Sequence, residues 1–242
     1  MAISTASFRH PATGETISYV FHTPAGHFLE ASITHLIRER SLRQEYFIPF
    51  INPQSVFIDV GSAYGSWSVA AALLGAKIYA IDPRRQVCEI LADNLASNNV
   101  GPEQAIIINA AASDVVTEGG FELCHSGNST TINEGQKHIE CKSHEQVPTV
   151  TIDSIVAEYE LQSVDFIKVD AEGVEMQVMR GAEETIKRFC PNMIVENHLS
   201  HNPTIMQDIL DYVQEIQPNY GTILTGSFGW LAKARPHSIF LR

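Results

Sequence analysis

The stretch VFIDVGSAYGSWSVAAALLG, residues 56–75, determines the fold that we expect for this chain. An apolar run ends on an acid, Asp59, and is followed by a turn with glycines at Gly61 and Gly65 and then by small apolar residues. A buried strand, a glycine turn and a helix in this order are typical of an α/β sheet that binds a ligand beyond its strand ends. We therefore expect a ligand site at the carboxyl end of this strand.

The rest of the chain alternates apolar, β-branched runs with helical patterns. We predict strands at 56–60, 77–82, 105–110, 164–170, 193–197, 220–225 and 238–242, and helices at 65–74, 84–96, 174–189 and from Pro203 onwards. Because most runs are continuously apolar, they suit parallel strands buried on both faces. The pattern predicts a doubly wound, mostly parallel, seven-stranded α/β sheet. The last two runs have no helix between them, so we expect them to pair antiparallel.

The composition favours one sizeable domain and argues against a nucleic-acid partner. The 242 residues are 44% hydrophobic and carry a formal net charge of −12, whereas nucleic-acid binding calls for a basic surface. We expect basic pairs such as Arg84 and Arg85 to lie on solvated helix faces. We divide the chain into an N-terminal segment, 1–50, that would cover an acceptor site or form a homodimer contact, and a domain, 51–242. Within that domain, the polar stretch 119–148 suggests a hairpin-like excursion.

Cysteine usage and hydropathy indicate the compartment. The four cysteines show no metal-binding spacing, so we expect free thiols: Cys88, Cys124, Cys141 and Cys190. The N-terminus lacks a basic start followed by an apolar core, and no apolar run approaches ~20 residues. We therefore expect a soluble cytoplasmic protein with no membrane contact.

Two ligand classes use a glycine turn of this kind, and the residues favour the one without phosphate. A dinucleotide needs GxGxxG, but the third glycine is absent, and Asp59 would repel a pyrophosphate. S-adenosylmethionine carries a sulfonium and an ammonium that an acid complements, and a carboxylate that turn amides can hold. Asp82, at the end of the second strand, is placed to accept ribose hydroxyls. A dinucleotide-dependent oxidoreductase, a non-catalytic Rossmann-like binding protein and a plain turn without ligand remain alternatives.

The candidate cofactor-binding residues follow the first three predicted strands. Tyr64 would lie over the cofactor, and Asn109 would contact the base or cap the turn after the third strand. The full set is Asp59, Gly61, Ser62, Ala63, Tyr64, Gly65, Asp82, Pro83, Asn109, Ala110 and Ala111.

Oxygen-bearing side chains also end the fourth and fifth predicted strands. Asp170 ends the fourth strand, and Glu196 and Asn197 end the fifth. Hard oxygen ligands suit Mg²⁺ or Ca²⁺, which would lower the pKa of an acceptor hydroxyl. Alternatively, Glu172 caps the next helix, and Glu196 anchors a loop or the methionine end of the cofactor. His198 is the candidate general base and completes a catalytic set with Asp170 and Glu196. 

Six motifs together resemble the FkbM family of S-adenosylmethionine-dependent methyltransferases: VFIDVGSAYG, AIDP, AAASD, TIDSI, VDFIKVDAEGVEMQVMRGAEETI and MIVEN. The resemblance covers 56–197, and 151–186 is its most family-specific part. Related turns often carry Ala-Asn where this chain has Ser62-Ala63. The resemblance implies a class I methyltransferase fold and O-methylation of a hydroxyl on a sugar or natural-product small molecule. It also implies a cofactor site that includes Asp59, Gly61, Gly65 and Asp82, whereas the family stretch with Asp170, Glu172 and Glu196 has no assigned role.

Overall fold

The computed structural model describes residues 2–23, 47–126, 129–132, 143–196, 204–225 and 228–233. The chain forms two compact units, Met1–Asn109 and Ala110–Arg242. The elements of the first unit are, in order, β1 (Ala2–Arg9), β2 (Thr16–Thr23), a short 3-10 helix (Ile48–Phe50), β3 (Val56–Val60), α1 (Ser66–Leu73), β4 (Lys77–Ile81), α2 (Arg85–Ser97) and β5 (Ala105–Ile108). No helix of the described residues is long and apolar enough to cross a membrane.

The core of the first unit is a parallel three-stranded arrangement. β4 pairs in parallel with β3 on one side and with β5 on the other. Phe57, Ile58 and Ile78 are fully buried, because helices and loops cover both faces of these strands. The three strands and the helices α1 and α2 confirm the elements predicted for this part of the chain, with boundaries shifted by one or two residues.

An N-terminal hairpin, formed by β1 and β2, precedes this core. The two strands pair antiparallel from Ala2 opposite Thr23 to Arg9 opposite Thr16. Alternate side chains such as Phe8 and Tyr19 are buried, which is the period expected of strands with one covered face. No motif predicted this hairpin, and its existence is a finding of the structure.

The second unit begins with a small mixed sheet. Its elements are β6 (Ala111–Ala112), β7 (Thr117–Ser126), β8 (Ser129–Ile132), β9 (Ser143–Val150), α3 (Ile152–Glu158), β10 (Phe166–Val169), α4 (Glu175–Arg180), α5 (Glu183–Phe189), β11 (Asn192–Glu196), α6 (Ile205–Ile216), β12 (Tyr220–Thr225) and β13 (Phe228–Lys233). The first four strands join in the order β6-β9-β7-β8. β7 and β8 form an antiparallel hairpin, so the predicted hairpin-like excursion is confirmed.

The later strands of the second unit run in both directions. β10 and β11 are parallel, as predicted. β13 runs antiparallel to both β11 and β12. The partner of the strand at 220–225 is therefore 228–233, which the sequence analysis placed in a connection. A two-residue link is enough for a tight antiparallel pair, whereas the predicted partner, 238–242, lies outside the described residues.

The helix predicted at 174–189 is two helices, α4 and α5, and this prediction was wrong. The break falls at Gly181 and Ala182. The apolar stripe of Val178, Ala182 and Ile186 continues across the break, which is why periodicity alone suggested one helix. The helix α3 was not predicted, although Thr151 and Ser154 form a reciprocal capping box at its start.

Candidate functional site

The glycine turn after β3 is tied to the next strand through its backbone. The amides of Gly61 and Ser62 both donate to the carbonyl of Ile81, at 2.9 and 3.1 Å, and the amide of Gly65 donates to the carbonyl of Ser62 at 2.9 Å. These three amides thus have acceptors within the protein. The sequence analysis expected turn amides to hold the carboxylate of the cofactor. Because these three amides already have acceptors, other donors at the turn would have to hold it.

Gly65 is required by the geometry of the turn. Its φ of 90° lies in the left-handed region, and it precedes the first residue of α1. A Cβ at this position would lie 2.2 Å from Cδ1 of Leu91 in α2. Gly65 therefore allows the start of α1 to pack closely against α2.

Asp82 is the best-connected carboxylate of the site. It follows β4, is fully buried, and its Oδ2 accepts the amide of Ala63 at 3.0 Å. Arg84 donates to both oxygens, through Nε to Oδ1 at 2.9 Å and through Nη2 to Oδ2 at 2.7 Å, while its own amide donates to Oδ1 at 3.0 Å. Two-point pairing with a guanidinium fixes the plane of the carboxylate. The Asp82 carboxylate is thus held in one orientation at the end of its strand.

Arg84 is a site residue that the sequence analysis missed. It was expected on a solvated helix face, and only its neighbour fits that expectation: Arg85 is largely exposed and pairs with Glu89. The Arg84 side chain keeps 33% of its surface exposed. Its ion pair with Asp82 can therefore be replaced by contacts with another partner. An arginine two residues after a strand-ending acid was the available signal.

Asp59 is fully buried in β3. Ser68, on the first turns of α1 and also fully buried, donates its hydroxyl to Oδ2 of Asp59 at 2.6 Å. This hydrogen bond joins β3 to α1 across the glycine turn. Asp59 therefore holds the turn in shape as well as contributing negative charge to it, and Ser68 is a second residue that the sequence analysis did not single out.

Ser62 carries a buried polar atom of a different kind. The residue is 4% exposed, and its Oγ has no hydrogen-bond partner among the described residues. A buried hydroxyl without a partner costs about 1–3 kcal/mol. Such an atom in the turn between two acids fits a ligand that offers polar groups. The donor and acceptor set of this turn is therefore compatible with the predicted S-adenosylmethionine.

Two neighbours complete the surroundings of Asp82. Burial raises the pKa of the Tyr64 hydroxyl, with a smaller opposing effect of Arg84. Burial also raises the pKa of the Cys88 thiol to about 12, and this thiol donates to the carbonyl of Asp82 at 3.2 Å. Both side chains are therefore neutral at pH 7. Among these four neighbouring side chains, the charged pair is therefore Asp82 and Arg84.

Asn109 braces the connection that carries Asp82. Its Nδ2 donates to the carbonyls of Asp82 and Pro83, at 3.0 and 2.8 Å. Of the two roles expected for Asn109, the turn contact is the one present. In the second unit, Ala110 and Ala111 are buried, and Ala111 opens β6 opposite Thr149.

The acids predicted as metal ligands belong to the second unit. Asp170 follows β10, and its Oδ2 lies 3.5 Å from Nζ of Lys168, a residue only 4% exposed. Glu196 ends β11. Among the described residues no three His, Cys, Asp or Glu side chains are grouped to hold a metal. Because the Lys168 ammonium beside Asp170 opposes a second cation, that carboxylate does not fit the predicted Mg²⁺ or Ca²⁺.

The remaining predicted residues of this set have different outcomes. Asn197 and His198 lie outside the described residues. Glu172 is exposed with a φ of 52°. At the following helix, Glu175 accepts the amide of Gly173 at 3.0 Å.

The most family-specific segment, 151–186, contains a set of internal hydrogen bonds. We call this set the clasp and define it by Asp153, Gly181 and Thr185. Asp153 accepts three donors at the start of α5: the amide of Glu184 at 3.1 Å, and the amide and hydroxyl of Thr185 at 2.8 and 2.5 Å. Its own amide donates to the carbonyl of Gly181 at 2.9 Å. A Cβ on Gly181 would lie 2.0 Å from the carbonyl oxygen of Ser113. The clasp is therefore a packing device.

Comparison with solved structures supports the fold. Methyltransferase FkbM from Methylobacillus flagellatus matches with a TM-score of 0.53 at 16% identity, over 85% of this chain and 55% of that protein. This chain thus spans about half the length of that relative. The protein SMU.1697c of Streptococcus mutans, solved in complex with SAH, matches with a TM-score of 0.50 at 11% identity, over 79% of this chain and 96% of that one. The fold is the α/β, methyltransferase-like one with a parallel central sheet.

Sequence comparison identifies the family. The hexuronic acid methyltransferase AglP of Haloferax volcanii is 24% identical over 218 residues, which make up 87% of this chain and 84% of AglP. The sequence model of the Methyltransferase FkbM domain matches residues 59–221, more than half of the chain. This match begins at Asp59 and includes the glycine turn, Asp82 and the clasp. The chain therefore belongs to the FkbM methyltransferase family.

Proposed function

We propose that this protein is an S-adenosylmethionine-dependent methyltransferase that methylates a hydroxyl of a sugar or a related small molecule. The observation that carries the proposal is the family match over 59–221, which contains every predicted cofactor residue. The sugar acceptor is supported by the similarity to a hexuronic acid methyltransferase along most of both chains. An acidic chain of net charge −12 favours such an acceptor over nucleic acid. We also propose the seven-stranded class I sheet, with one antiparallel strand, as the complete arrangement.

The residues of the first unit would hold the cofactor. Bound S-adenosylmethionine supplies a methyl group on an electrophilic sulfonium. Asp82, oriented by Arg84 and the amide of Ala63, would accept the two ribose hydroxyls, for which Arg84 must release part of its two-point contact. The buried Oγ of Ser62 would donate to the amino-acid end of the cofactor. Asp59 would add negative charge near the cationic groups.

The proton of the acceptor hydroxyl needs a base. His198 is the candidate, because a histidine accepts a proton near neutral pH. Asp170 and Glu196 end strands of the second unit and would position the acceptor through hydrogen bonds to its hydroxyls. The Lys168 ammonium near Asp170 would restrict where that carboxylate can point. Positioning and proton removal are the main contributions that such a site must make to the transfer.

The first test is calorimetric titration with S-adenosylhomocysteine, with NAD⁺ and NADP⁺ as competing probes. Micromolar binding of S-adenosylhomocysteine alone supports the cofactor assignment. Binding of a dinucleotide instead would favour an oxidoreductase. Asp82→Ala should abolish or weaken the binding, while Asp153→Ala, which removes a carboxylate of the clasp, serves as the matched control.

The second test addresses the acceptor. Transfer of a labelled methyl group from S-adenosylmethionine is measured with hexuronic acid glycosides, with the matching neutral hexosides, and with a structured RNA. Labelling of the glycosides supports the proposal, and a preference between the acidic and neutral sugars defines the acceptor class. Cofactor binding without transfer to any sugar would contradict the sugar acceptor, and labelling of RNA alone would replace it.

A further inference from the structure

Asn94 of α2 and Asn98, the residue that follows the last residue of α2, bind the outer edge of the N-terminal hairpin. Asn98 accepts the amide of Val20 through Oδ1 at 2.9 Å and donates to the carbonyl of Val20 through Nδ2 at 2.7 Å. Asn94 does the same with His22, accepting its amide at 2.6 Å and donating to its carbonyl at 3.1 Å. Each side-chain amide therefore pairs with β2 as the backbone of a neighbouring strand would.

The spacing of the two elements explains this match. Residues four apart on a helix rise about 6 Å along its axis, and residues two apart on a strand are separated by about 6.6 Å. Asn94 and Asn98 are four apart, and Val20 and His22 are two apart, so that each asparagine meets one residue of the same strand edge. The edge of β2 is covered by this pairing, as edge strands in native proteins usually are.

Asn94 has a third contact that Asn98 lacks. Its Nδ2 also donates to the carbonyl of Tyr64, in the glycine turn, at 2.8 Å. The third contact of Asn98 is instead with the carbonyl of Asn94 in its own helix, at 2.7 Å. Asn94 is fully buried. Both asparagines thus make three hydrogen bonds, but only those of Asn94 join the hairpin to the turn.

From this arrangement we infer that Asn94 is a positioning residue that couples the N-terminal hairpin to the glycine turn. The hairpin is then part of the cofactor-binding unit: when β2 is docked on α2, Asn94 is held in the one orientation that also fixes the Tyr64 carbonyl. The consequence for the cofactor rests on the proposed function, whereas the coupling between hairpin and turn does not. The role assigned to Asn94 is indirect, since it acts through the turn backbone.

Physical reasoning gives the expected size of the coupling. Loss of the Asn94 amide leaves the part-buried carbonyl of Tyr64 without that donor and releases one restraint on residues 61–65. Couplings between sites generally correspond to about 5- to 150-fold changes in affinity. We expect the lower part of that range, because the amides of Gly61 and Ser62 still hold the turn to Ile81.

The test compares Asn94→Ala with Asn98→Ala in the full chain, because each substitution removes three hydrogen bonds and two of them are to β2. Hydrogen–deuterium exchange is measured for the peptides that contain the hairpin and the glycine turn. We expect faster exchange of the hairpin in both variants, and faster exchange of residues 61–65 only in Asn94→Ala. Equal exchange of the turn in the two variants, or unchanged exchange of the turn in both, overturns the coupling.

Binding of S-adenosylhomocysteine to the same variants extends the test to function. We expect the Kd to rise about fivefold or more in Asn94→Ala and less than about twofold in Asn98→Ala. If the wild-type protein binds no S-adenosylhomocysteine, the proposed function fails, and the exchange of the turn still decides the coupling. If Asn94→Ala does not fold, the exchange of wild-type protein with saturating ligand replaces it: slower exchange of 16–23 supports the coupling, and unchanged exchange there overturns it.

Discussion

The glycine turn and the clasp each contain a carboxylate and a glycine, but they differ in the donors that hold the carboxylate. In the clasp, Asp153 accepts three donors from the start of α5, and Gly181 admits a backbone carbonyl where a side chain would clash. In the turn, Asp82 is held by an arginine that is one-third exposed, beside a buried Ser62 hydroxyl without a partner among the described residues. In the proposed function, the acid of the turn is therefore the one whose partner can be exchanged for a ligand, whereas the acid of the clasp keeps its donors.

The largest expected effect is on the clasp. Gly181→Ala places a Cβ 2.0 Å from the carbonyl oxygen of Ser113, so backbone must move, and we expect a loss of about 3 kcal/mol in the free energy of unfolding. Urea denaturation measures the loss. Gly119→Ala is the matched control, since a Cβ there meets nothing within 4 Å. Equal losses in the two variants would mean that the close approach at Gly181 is not what requires glycine.

The next effect separates the two carboxylates by function. Asp82→Ala removes the acceptor that we assign to the ribose, and a charged hydrogen-bond acceptor is worth about 1.5–3 kcal/mol. We therefore expect the Kd of S-adenosylhomocysteine to rise by at least about tenfold in calorimetric titration. Asp153→Ala should change this Kd by less than about twofold. A similar rise in both variants would show that the difference drawn between the turn and the clasp is wrong.

The third effect concerns the stability that Asp153 provides. Asp153→Ala removes the acceptor for the first amides of α5, and loss of such a cap costs about 0.5–2 kcal/mol. We expect a lower midpoint of thermal unfolding with an unchanged affinity for cofactor. Asp208→Ala, at an exposed position of the first turn of α6, is the control. Within the described part of the chain, the one side-chain hydrogen bond of Asp208 comes from the exposed Thr204 hydroxyl. A midpoint that does not fall below that of the control would remove the clasp as a source of stability.

The smallest effect sharpens the description of the glycine turn. Ala63 has a φ of 48°, a region in which alanine is disfavoured and glycine or asparagine is accepted. We expect Ala63→Gly and Ala63→Asn each to raise the free energy of unfolding by about 0.5–1 kcal/mol. Because the amide of residue 63 still donates to Asp82, ligand affinity should be kept. Destabilisation by both substitutions would show that the turn does not hold this φ in solution.

Local signals were sufficient for the parallel strands and the first two helices of the sheet. Continuous apolar runs predicted β3, β4 and β10 because burial on both faces leaves no alternation to misinterpret. The helix predicted at 174–189 failed because its apolar stripe continues across the break at Gly181 and Ala182, so that periodicity gave no sign of the break. The sequence analysis also missed β13, the antiparallel partner of β12, because it left this run in a connection.

The candidate site divides in the same way. The positions of Asp59, Gly65 and Asp82 followed from the strand, turn and helix pattern. The partners Arg84, Ser68 and Asn94 did not follow from this pattern. Ser68 and Asn94 are recognised by contacts with other elements, and Arg84 by its pairing with Asp82. The sequence did contain a signal for Asn94, because it is a polar residue on the apolar face of α2, where Leu91 and Leu95 also point inward. Such a residue has to find hydrogen-bond partners when it is buried.

The sequence by itself determined the α/β fold and the position of the glycine turn, because these depend on hydrophobic periodicity and on short-range turn chemistry. The family followed from the resemblance of its motifs and from the match over residues 59–221. Only the tertiary structure decided which acid is held by donors of α5 and which is held by a partly exposed arginine. It also decided that the N-terminal hairpin is bound to the turn through Asn94. The physical reason is that hydrogen-bond partners and steric contacts are made between residues far apart along the chain. Their identity is fixed when packing brings them together.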